Sequence, residues 1–382
     1  MAALSIAAST AHAITLTPIG DTNFPTGFVP GFDSGSGIAV GGLSGIAYDP
    51  GANLFYSVAD DRSPEARFYT LTINLADGQL NAGDVVFQSR VNIRDIGGGQ
   101  FPNNGVDPEG IALTKNNTVL ISSEGEVLTG NVQNPFIREF SLTGQHVSAF
   151  ATPAKLNPDA AVGQTTGIRR NLALESLTLT PDKNTLFSAT ENALVQDGPA
   201  ASVSDTSPAR IIQFNANTGA PVSEFLYFTD PVLVPPVPAN QFATNGLVDL
   251  LAFDEDHLLA VERSFSVGVG NAIKIYEVDL TGATDISGIN SLIANGIAGI
   301  QGAKKSLLFD LADLGITLDN IEGITFGPTL PDGRQSLILV SDNNFSATQF
   351  TQFVAFAINP IPEPATMSLL GLGALTFIRR RR

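Results

Sequence analysis

Five stretches of the chain repeat one order of polar and apolar positions. Each begins with a polar or acidic residue, continues with four mostly apolar residues, and is followed by a turn and a second apolar stretch. The first residues of these stretches, separated by 65, 66, 74 and 73 positions, are Ser44, Glu109, Glu175, Asp249 and Glu322. Short apolar runs between clusters of Asn, Asp, Gly and Pro are typical of buried β-strands, so the pattern predicts a repeated hairpin.

Each repeat contains more than this hairpin. A third strand of alternating apolar residues is predicted in all five repeats, at 68–75, 137–142, 210–215, 273–280 and 352–359. A fourth strand is predicted in the first four repeats, at 85–93, 147–151, 222–228 and 306–311. Four antiparallel strands per repeat predict an all-β fold, a β-propeller of five blades. A sixth blade is an alternative, because residues 285–304 are not assigned to any predicted strand. A pair of β-sandwiches is a second alternative.

The fifth repeat lacks a fourth strand of its own. The segment Ile14-Thr-Leu-Thr-Pro-Ile19 has the apolar alternation of an outer strand and could supply it. Such a pairing would close the ring and remove an exposed sheet edge. The sequence therefore predicts one propeller domain over residues 14–360.

The charge balance excludes several classes of function. The chain has 37 acidic and 20 basic residues, a formal net charge of −17, three histidines and no cysteine. A nucleic-acid partner is not expected, because neutralising phosphates needs clustered Lys and Arg. Zinc-thiolate sites and thiol nucleophiles are excluded by the absence of cysteine. The chain also contains no G-x-S-x-G motif, which argues against serine esterase chemistry.

The repeated polar residue predicts a metal site. The first strand of each propeller blade lines the central channel, so Ser44, Glu109, Glu175, Asp249 and Glu322 are expected to meet at one end of it. Several carboxylates in one place repel one another, and Ca²⁺ resolves this by taking six to eight oxygen ligands. Hydrogen bonding of these residues to neighbouring blades, or plain solvation at the rim, is the alternative.

A second acidic layer is expected at the same end, where the second strands finish. Its members are Asp60, Asp61, Glu262 and Asp342, and two further glutamates follow second strands at Glu124 and Glu191. Cations are expected beside these acids at Arg62, Arg67 and Arg263. A metal ion with arginines beside it suits a phosphate ester, with Glu124 or Glu191 deprotonating the attacking water. Solvated loop acids and ordinary ion pairs are the alternatives.

Both ends of the chain resemble targeting signals. Residues Met1–Ala13 end in Ala11-His12-Ala13 and are interpreted as a truncated export signal, although the basic start of such a signal is missing. Residues 361–382 resemble the PEP-CTERM sorting tail, with Pro362-Glu363-Pro364, the apolar run Met367–Ile378 and the cluster Arg379–Arg382. The resemblance implies transient anchoring in the inner membrane, processing by an exosortase, and export to the envelope, surface or exterior of a Gram-negative bacterium.

The repeats themselves resemble a family, the phytase-like esterases of bacterial secreted proteins. The resemblance covers nearly all of residues 43–359 and is carried by LSGIAYDP, VADDRSPEARFYTL, GVDPEGIAL, ISSEGE, ALESLTLTPD, ATENAL, LLAVERSF and NIEGITFG. It implies a propeller and a phosphoesterase activity. The ring of Ser44 and four acids is also similar to that of the five-bladed calcium-activated nucleotidases, which implies one axial Ca²⁺. Asp249 departs from that pattern, since it is shorter than Glu and precedes Leu instead of Gly.

Two functions follow as hypotheses. The first is an exported, metal-dependent phosphoric ester hydrolase acting on a small phosphate ester at the channel rim. The second is a Ca²⁺-stabilised surface or extracellular-matrix protein that binds a polymer without turnover.

Overall fold

The computed structural model describes residues 14–360, and it is a five-bladed β-propeller, as predicted. Blade 1 contains β2–β5 and blade 2 contains β6, β7, β10 and β11, with the hairpin β8–β9 inserted. These strands are β2 (Leu43–Asp49), β3 (Leu54–Ala59), β4 (Arg67–Ile73), β5 (Val85–Asn92), β6 (Pro108–Leu113), β7 (Thr118–Ser123), β8 (Glu126–Leu128), β9 (Asn131–Gln133), β10 (Phe136–Ser141) and β11 (His146–Ala149).

Blades 3 and 4 have four consecutive strands each, and blade 5 combines the two ends of the described chain. Their strands are β12 (Leu174–Leu179), β13 (Thr185–Thr190), β14 (Ser207–Asn215), β15 (Ala220–Thr229), β16 (Ala243–Ala252), β17 (His257–Ser266), β18 (Gly270–Asp279), β19 (Lys304–Asp310), β20 (Asn320–Thr329), β21 (Gln335–Asp342), β22 (Phe350–Pro360) and β1 (Ile14–Pro25). The strand β1 pairs antiparallel with β22, from Ile14 opposite Pro360 to Pro25 opposite Phe350. This pairing closes the ring.

Between residues 14 and 360, helical structure is confined to single turns. They are the 3₁₀ turns Gly31–Asp33, Ala154–Leu156 and Leu311–Leu314, and the α-helical turn α1 (Leu292–Asn295). The segment left open as a sixth blade contains α1, and its Ile286 and Leu292 pack against Leu226 of blade 3. No helix of the described residues is long and apolar enough to span a membrane.

The hydrophobic core is divided into five layers, one between each pair of neighbouring blades. Successive residues of a strand point to opposite faces, so a middle strand supplies both layers beside its blade. In β21, Ile338 and Val340 pack toward blade 1, whereas Leu337 and Leu339 pack toward blade 4. This explains why the second strands are continuously apolar in the sequence.

We expect Leu339→Ala to lower the free energy of unfolding by about 2–5 kcal/mol, because it leaves a cavity between blades 4 and 5. Leu339 is fully buried there. The matched control is Leu307→Ala, whose residue is 55% exposed on the outer strand β19 and should change stability by less than about 0.5 kcal/mol. Urea unfolding of both variants checks this, and equal losses would contradict the layered core.

Candidate functional site

Every inner strand carries a β-bulge, within its first three residues in blades 1, 2, 3 and 5 and at its sixth residue in blade 4. The extra, unpaired residue is Ser44 in blade 1, Glu175 in blade 3, Val248 in blade 4 and Glu322 in blade 5. In blade 2 the bulge contains Glu109 with the following glycine. Because a bulge re-aims a side chain, it separates these residues from the apolar alternation of the rest of the strand.

Glycines beside the bulges allow the inner strands to approach closely. A Cβ atom at Gly45 would lie 2.5 Å from the carbonyl oxygen of Glu109, and one at Gly110 would lie 2.9 Å from that of Glu175. Any larger residue would push neighbouring strands apart at these two positions. Gly45 and Gly110, each directly after a ring residue, therefore help to bring the ring residues of adjacent blades together.

The first group of carboxylates consists of Asp60, Asp107 and Glu109, which we call triad A. One oxygen of each lies within 4.8 Å of the others. Asp107 is only 4% exposed; its Oδ1 faces the Nε of Arg62 at 2.6 Å, whereas its Oδ2 has no hydrogen-bond partner among the described residues. Unpaired buried oxygens are costly, which makes triad A suited to a ligand that supplies positive charge.

The second group consists of Glu124, Glu175 and Glu191, which we call triad B. Its three ligand oxygens also lie within 4.8 Å of one another. Glu124 Oε1 accepts a hydrogen bond from the backbone N–H of Ala173 at 2.5 Å. Glu191 lies against Gly246, where a Cβ atom would be 2.2 Å from Glu191 Oε1. The glycine thus leaves the space that the Glu191 carboxylate occupies.

Two arginines lie beside the triads. The Nε of Arg62 is 2.6 Å from Asp107 Oδ1. Arg263 Nη2 is 3.3 Å from Glu191 Oε1, and its Nη1 is 3.2 Å from Glu322 Oε1. Burial alone would lower the pKa of both guanidinium groups, but the surrounding carboxylates raise it above its ordinary value. Both arginines therefore stay charged and offset part of the negative charge.

The buried carboxyls hold their protons unusually strongly. Burial, reinforced by repulsion from neighbouring carboxylates, raises the pKa of Asp107, Glu109 and Glu175 well above the ordinary range. Burial raises the pKa of Glu191 to about 8 and that of Glu322 to about 7, although Arg263 opposes both shifts. The channel end thus contains more carboxyl groups than its two arginines can keep ionised.

The two triads, with the neighbouring carboxyls of Glu322 and Asp342, form one buried group that we call the acidic cluster. Three residues of the expected ring belong to it, namely Glu109, Glu175 and Glu322. Asp249 was expected there too, but the bulge residue of blade 4 is Val248, one position earlier. The Asp249 carboxylate accepts the backbone N–H groups of Leu250 and Ile324, both at 2.8 Å. The hydroxyl of Ser44 donates to the carbonyl of Gly42 at 3.3 Å.

The expected second layer divides in the same way. Asp60 belongs to triad A, and the pKa of Asp342 is raised by burial and then by repulsion from Glu322 and Asp60, which places Asp342 electrostatically in the cluster. Asp61 instead pairs with Arg67. Glu262 lies between blades 3 and 4, where it pairs with Lys305 at 2.6 Å and accepts the hydroxyl of Tyr227 at 2.7 Å.

Among the expected cations, Arg67 is committed elsewhere. It is 2% exposed, and its Nε donates to the hydroxyl of Tyr69 at 2.6 Å. Another nitrogen donates to the carbonyl of Glu65 at 3.1 Å, and the guanidinium lies over the ring of Phe345. These contacts leave Arg62 and Arg263 as the arginines that accompany the triads.

Three residues of the site, Asp107, Glu126 and Asn320, were not among those predicted from the sequence. Asp107 and Asn320 each precede a ring glutamate by two positions, so a polar residue there was the available signal. Asn320 donates to Glu322 Oε1 at 2.9 Å and accepts from Arg263. Glu126 lies 3.5 Å from Arg62 and 3.0 Å from Arg170.

The sequence matches two protein-family models. Residues 38–345 match the model of a family described as phytase-like, with esterase-like activity of phytase. The chain belongs to this family of propeller proteins. Residues 360–382 match the PEP-CTERM protein-sorting motif, so the protein is secreted, associates with the bacterial cell envelope, and is processed by an exosortase-type enzyme. The tail and Met1–Ala13 lie outside the described residues.

Similarity to individual proteins is more distant. A search among curated proteins found no match. Among solved structures, a luciferin-regenerating enzyme is 10% identical with a TM-score of 0.37, and the match covers 83% of this chain and 92% of that one. The Dos1 propeller is 7% identical with a TM-score of 0.35, covering 82% and 67%. A protein of unknown function from Dyadobacter fermentans DSM 18053 is 10% identical with a TM-score of 0.34, covering 81% and 73%. Similarities this weak carry no functional argument.

The raised pKa values predict how stability depends on pH. Glu191 and Glu322 have folded pKa values of about 8 and about 7, above the ordinary value of 4.5. The folded chain therefore binds more protons than the unfolded chain between about pH 4.5 and 8, and stability must fall as the pH rises through this window. Chemical unfolding in the presence of EDTA, at intervals from pH 5 to 8, measures the slope of the free energy of unfolding against pH.

Glu191→Gln serves as the control for this prediction. Removing one of the titrating groups should make the slope shallower while leaving its sign unchanged. A free energy of unfolding that stays constant or increases from pH 5 to 8 in the parent chain would contradict the assignment.

Proposed function

We propose that the protein is an exported, metal-dependent phosphoric ester hydrolase, with a divalent cation bound by triad A. The observation that supports this most directly is the grouping of Asp107 with Asp60 and Glu109: Arg62 pairs with Asp107 Oδ1, and the buried Oδ2 has no hydrogen-bond partner among the described residues. The family description, which refers to an esterase-like activity of phytase, supports hydrolysis as the reaction class.

The donor chemistry fits Ca²⁺. Both triads consist only of carboxylates, which are ligands that hard cations prefer, and neither contains the imidazole or thiolate expected at a zinc site. The raised pKa values also fit, because a bound cation would stabilise the ionised carboxylates that burial disfavours. Triad B is close enough to triad A that repulsion from Glu175 raises the pKa of Glu109. It is therefore a candidate for a second cation.

Access to the cluster comes from the side of triad A. The side chains of Asp60 and Arg62 are 22% and 24% exposed, whereas Glu124 and Glu191 are at most 2% exposed. We infer that the phosphate of a small ester approaches Arg62, which provides N–H donors and a fixed positive charge. Arg263, deeper in the cluster, would oppose the negative charge that develops during the reaction.

The proposed reaction is attack of water on phosphorus. When bound, the cation supplies Lewis-acid activation of the phosphate and a lowered pKa for a coordinated water. As the water oxygen bonds to phosphorus and the ester P–O bond breaks, the carboxylate of Glu124 or Glu191 would take the water's proton, and the alcohol would leave with a proton from solvent. A pKa near neutrality suits this role, because the carboxylate must be ionised before the step and hold the proton after it.

A second function has its own supporting observation. Because Glu175 and Glu191 are 8% and 1% exposed, a cation in triad B would be nearly enclosed. An enclosed cation favours a structural role, in which the propeller is a Ca²⁺-stabilised surface or matrix protein that binds an extracellular polymer. Such a protein would gain thermal stability from Ca²⁺ and release no phosphate.

The mature chain should release phosphate from p-nitrophenyl phosphate with Ca²⁺ and stop when EDTA is added. Loss of even an outer partner of a metal ligand typically costs about 10–100-fold, so Asp107→Asn and Glu109→Gln should each lower kcat/KM by at least about 100-fold. The control is Asp332→Asn, whose exposed side chain lies in a turn at the opposite end of the channel and should leave the rate unchanged.

Calorimetric titration with Ca²⁺ separates the two functions. Binding that Asp107→Asn weakens, together with phosphate release, supports the hydrolase. Binding without release from a panel of phosphate esters with Ca²⁺, Mg²⁺, Mn²⁺ or Zn²⁺ overturns it and leaves the structural role.

A further inference from the structure

The opposite end of the channel contains an apolar cavity of about 490 Å³. All five blades contribute to its wall near the ends of their inner strands, through Tyr48, Leu113, Leu179, Phe253 and Phe326. Its size and apolar lining are those of a binding cavity. It lies away from the acidic cluster, and the proposed hydrolysis does not use it.

The charges around this cavity indicate what it would accept. The turns that join first and second strands surround its mouth and contain six acidic residues: Asp49, Asp182, Asp254, Glu255, Asp256 and Asp332. The same turns contain three basic residues, Lys115, Lys183 and Arg334. Lys183 lies in the cavity wall, whereas the six acids lie in the turns around it. This excess of acid in the surrounding turns suits an apolar segment with a basic end.

The chain itself contains such a segment. The apolar run Met367–Ile378 is followed directly by Arg379–Arg382. The last described strand, β22, ends at Pro360 on the cavity side of the propeller, and Ile358 forms part of the cavity wall. From Pro360 to Met367 there are seven residues, which reach at most about 25 Å when extended. The run therefore begins within reach of the cavity.

We propose that the apolar run of the sorting tail docks its side chains in this cavity, with the terminal arginines against the acidic turns, whenever the tail is not in a membrane. The cavity accommodates a few side chains, so docking covers part of the run. This gives the propeller a second activity: it shields its own membrane-directed segment from water. The inference is independent of the proposed hydrolase function.

The absence of native cysteine allows a direct test on the full chain. Pro50→Cys places a thiol at the cavity edge, and Leu372→Cys places one within the apolar run. The matched control combines Leu372→Cys with Ile96→Cys, whose side chain is 63% exposed, follows the outer strand β5 of blade 1 and does not line the cavity. Docking raises the local concentration of the two thiols at the cavity edge.

We expect the Pro50→Cys pair to form an intramolecular disulfide about ten-fold faster than the control pair. Replacing Arg379–Arg382 with serine, or raising the salt concentration, should reduce this difference. Equal rates for the two pairs would overturn the proposal. So would disulfides that form only between chains, which mixing the two single-cysteine variants detects.

A second measurement does not depend on introduced thiols. The neutral apolar dye N-phenyl-1-naphthylamine should bind a chain that ends at Pro360 more strongly than the full chain, because the docked run competes for the cavity. Equal dye binding, or stronger binding by the full chain, would contradict docking.

Discussion

Each blade of this propeller has two apolar faces, and this constraint determines much of the rest. A sheet that is apolar on both sides needs a neighbour on each side, so a linear row of blades would leave two faces exposed to water. Closure of the ring buries both of these faces, and it requires β1 to complete blade 5. The same closure forces the five inner strands into contact around one axis. The site and the cavity at the two ends of that axis are consequences of packing the blades.

The acidic cluster is therefore a product of the architecture acting on a repeated polar position. The bulges and the small residues beside them, such as Gly110, bring carboxylates of neighbouring blades into one buried volume. The two arginines there, Arg62 and Arg263, offset only part of the charge. Apolar residues at these positions would make the fold more stable, since buried unpaired charge is costly. The retained carboxylates are the strongest physical reason to assign a function to this end of the channel.

The blade number and the strands followed from the sequence because strand periodicity and turn composition are local signals. Which residues form the site was harder to predict from the sequence than the strands were. Asp249 matched the repeat by its apolar successors, but the bulge in blade 4 lies one residue earlier and contains Val248. Register of this kind depends on pairing between strands, which a linear pattern does not contain. The positions of Arg67 and Glu262 depend on partners distant in sequence, such as Phe345 and Lys305. Asp107 was overlooked because it lies outside the repeated motif.

The pairing of Ile14 with Pro360 also affects how the chain can fold. These two residues are 346 positions apart, so the last ladder of the sheet forms between the most distant parts of the described chain. Contacts across such separations form slowly, because the intervening chain must first be ordered or brought together. Until then, β1 has no partner and β22 presents an open edge to other molecules. Ring closure is accordingly the step at which the exposed edge of β22 becomes covered by β1, and a newly delivered chain loses its most aggregation-prone edge at that seam.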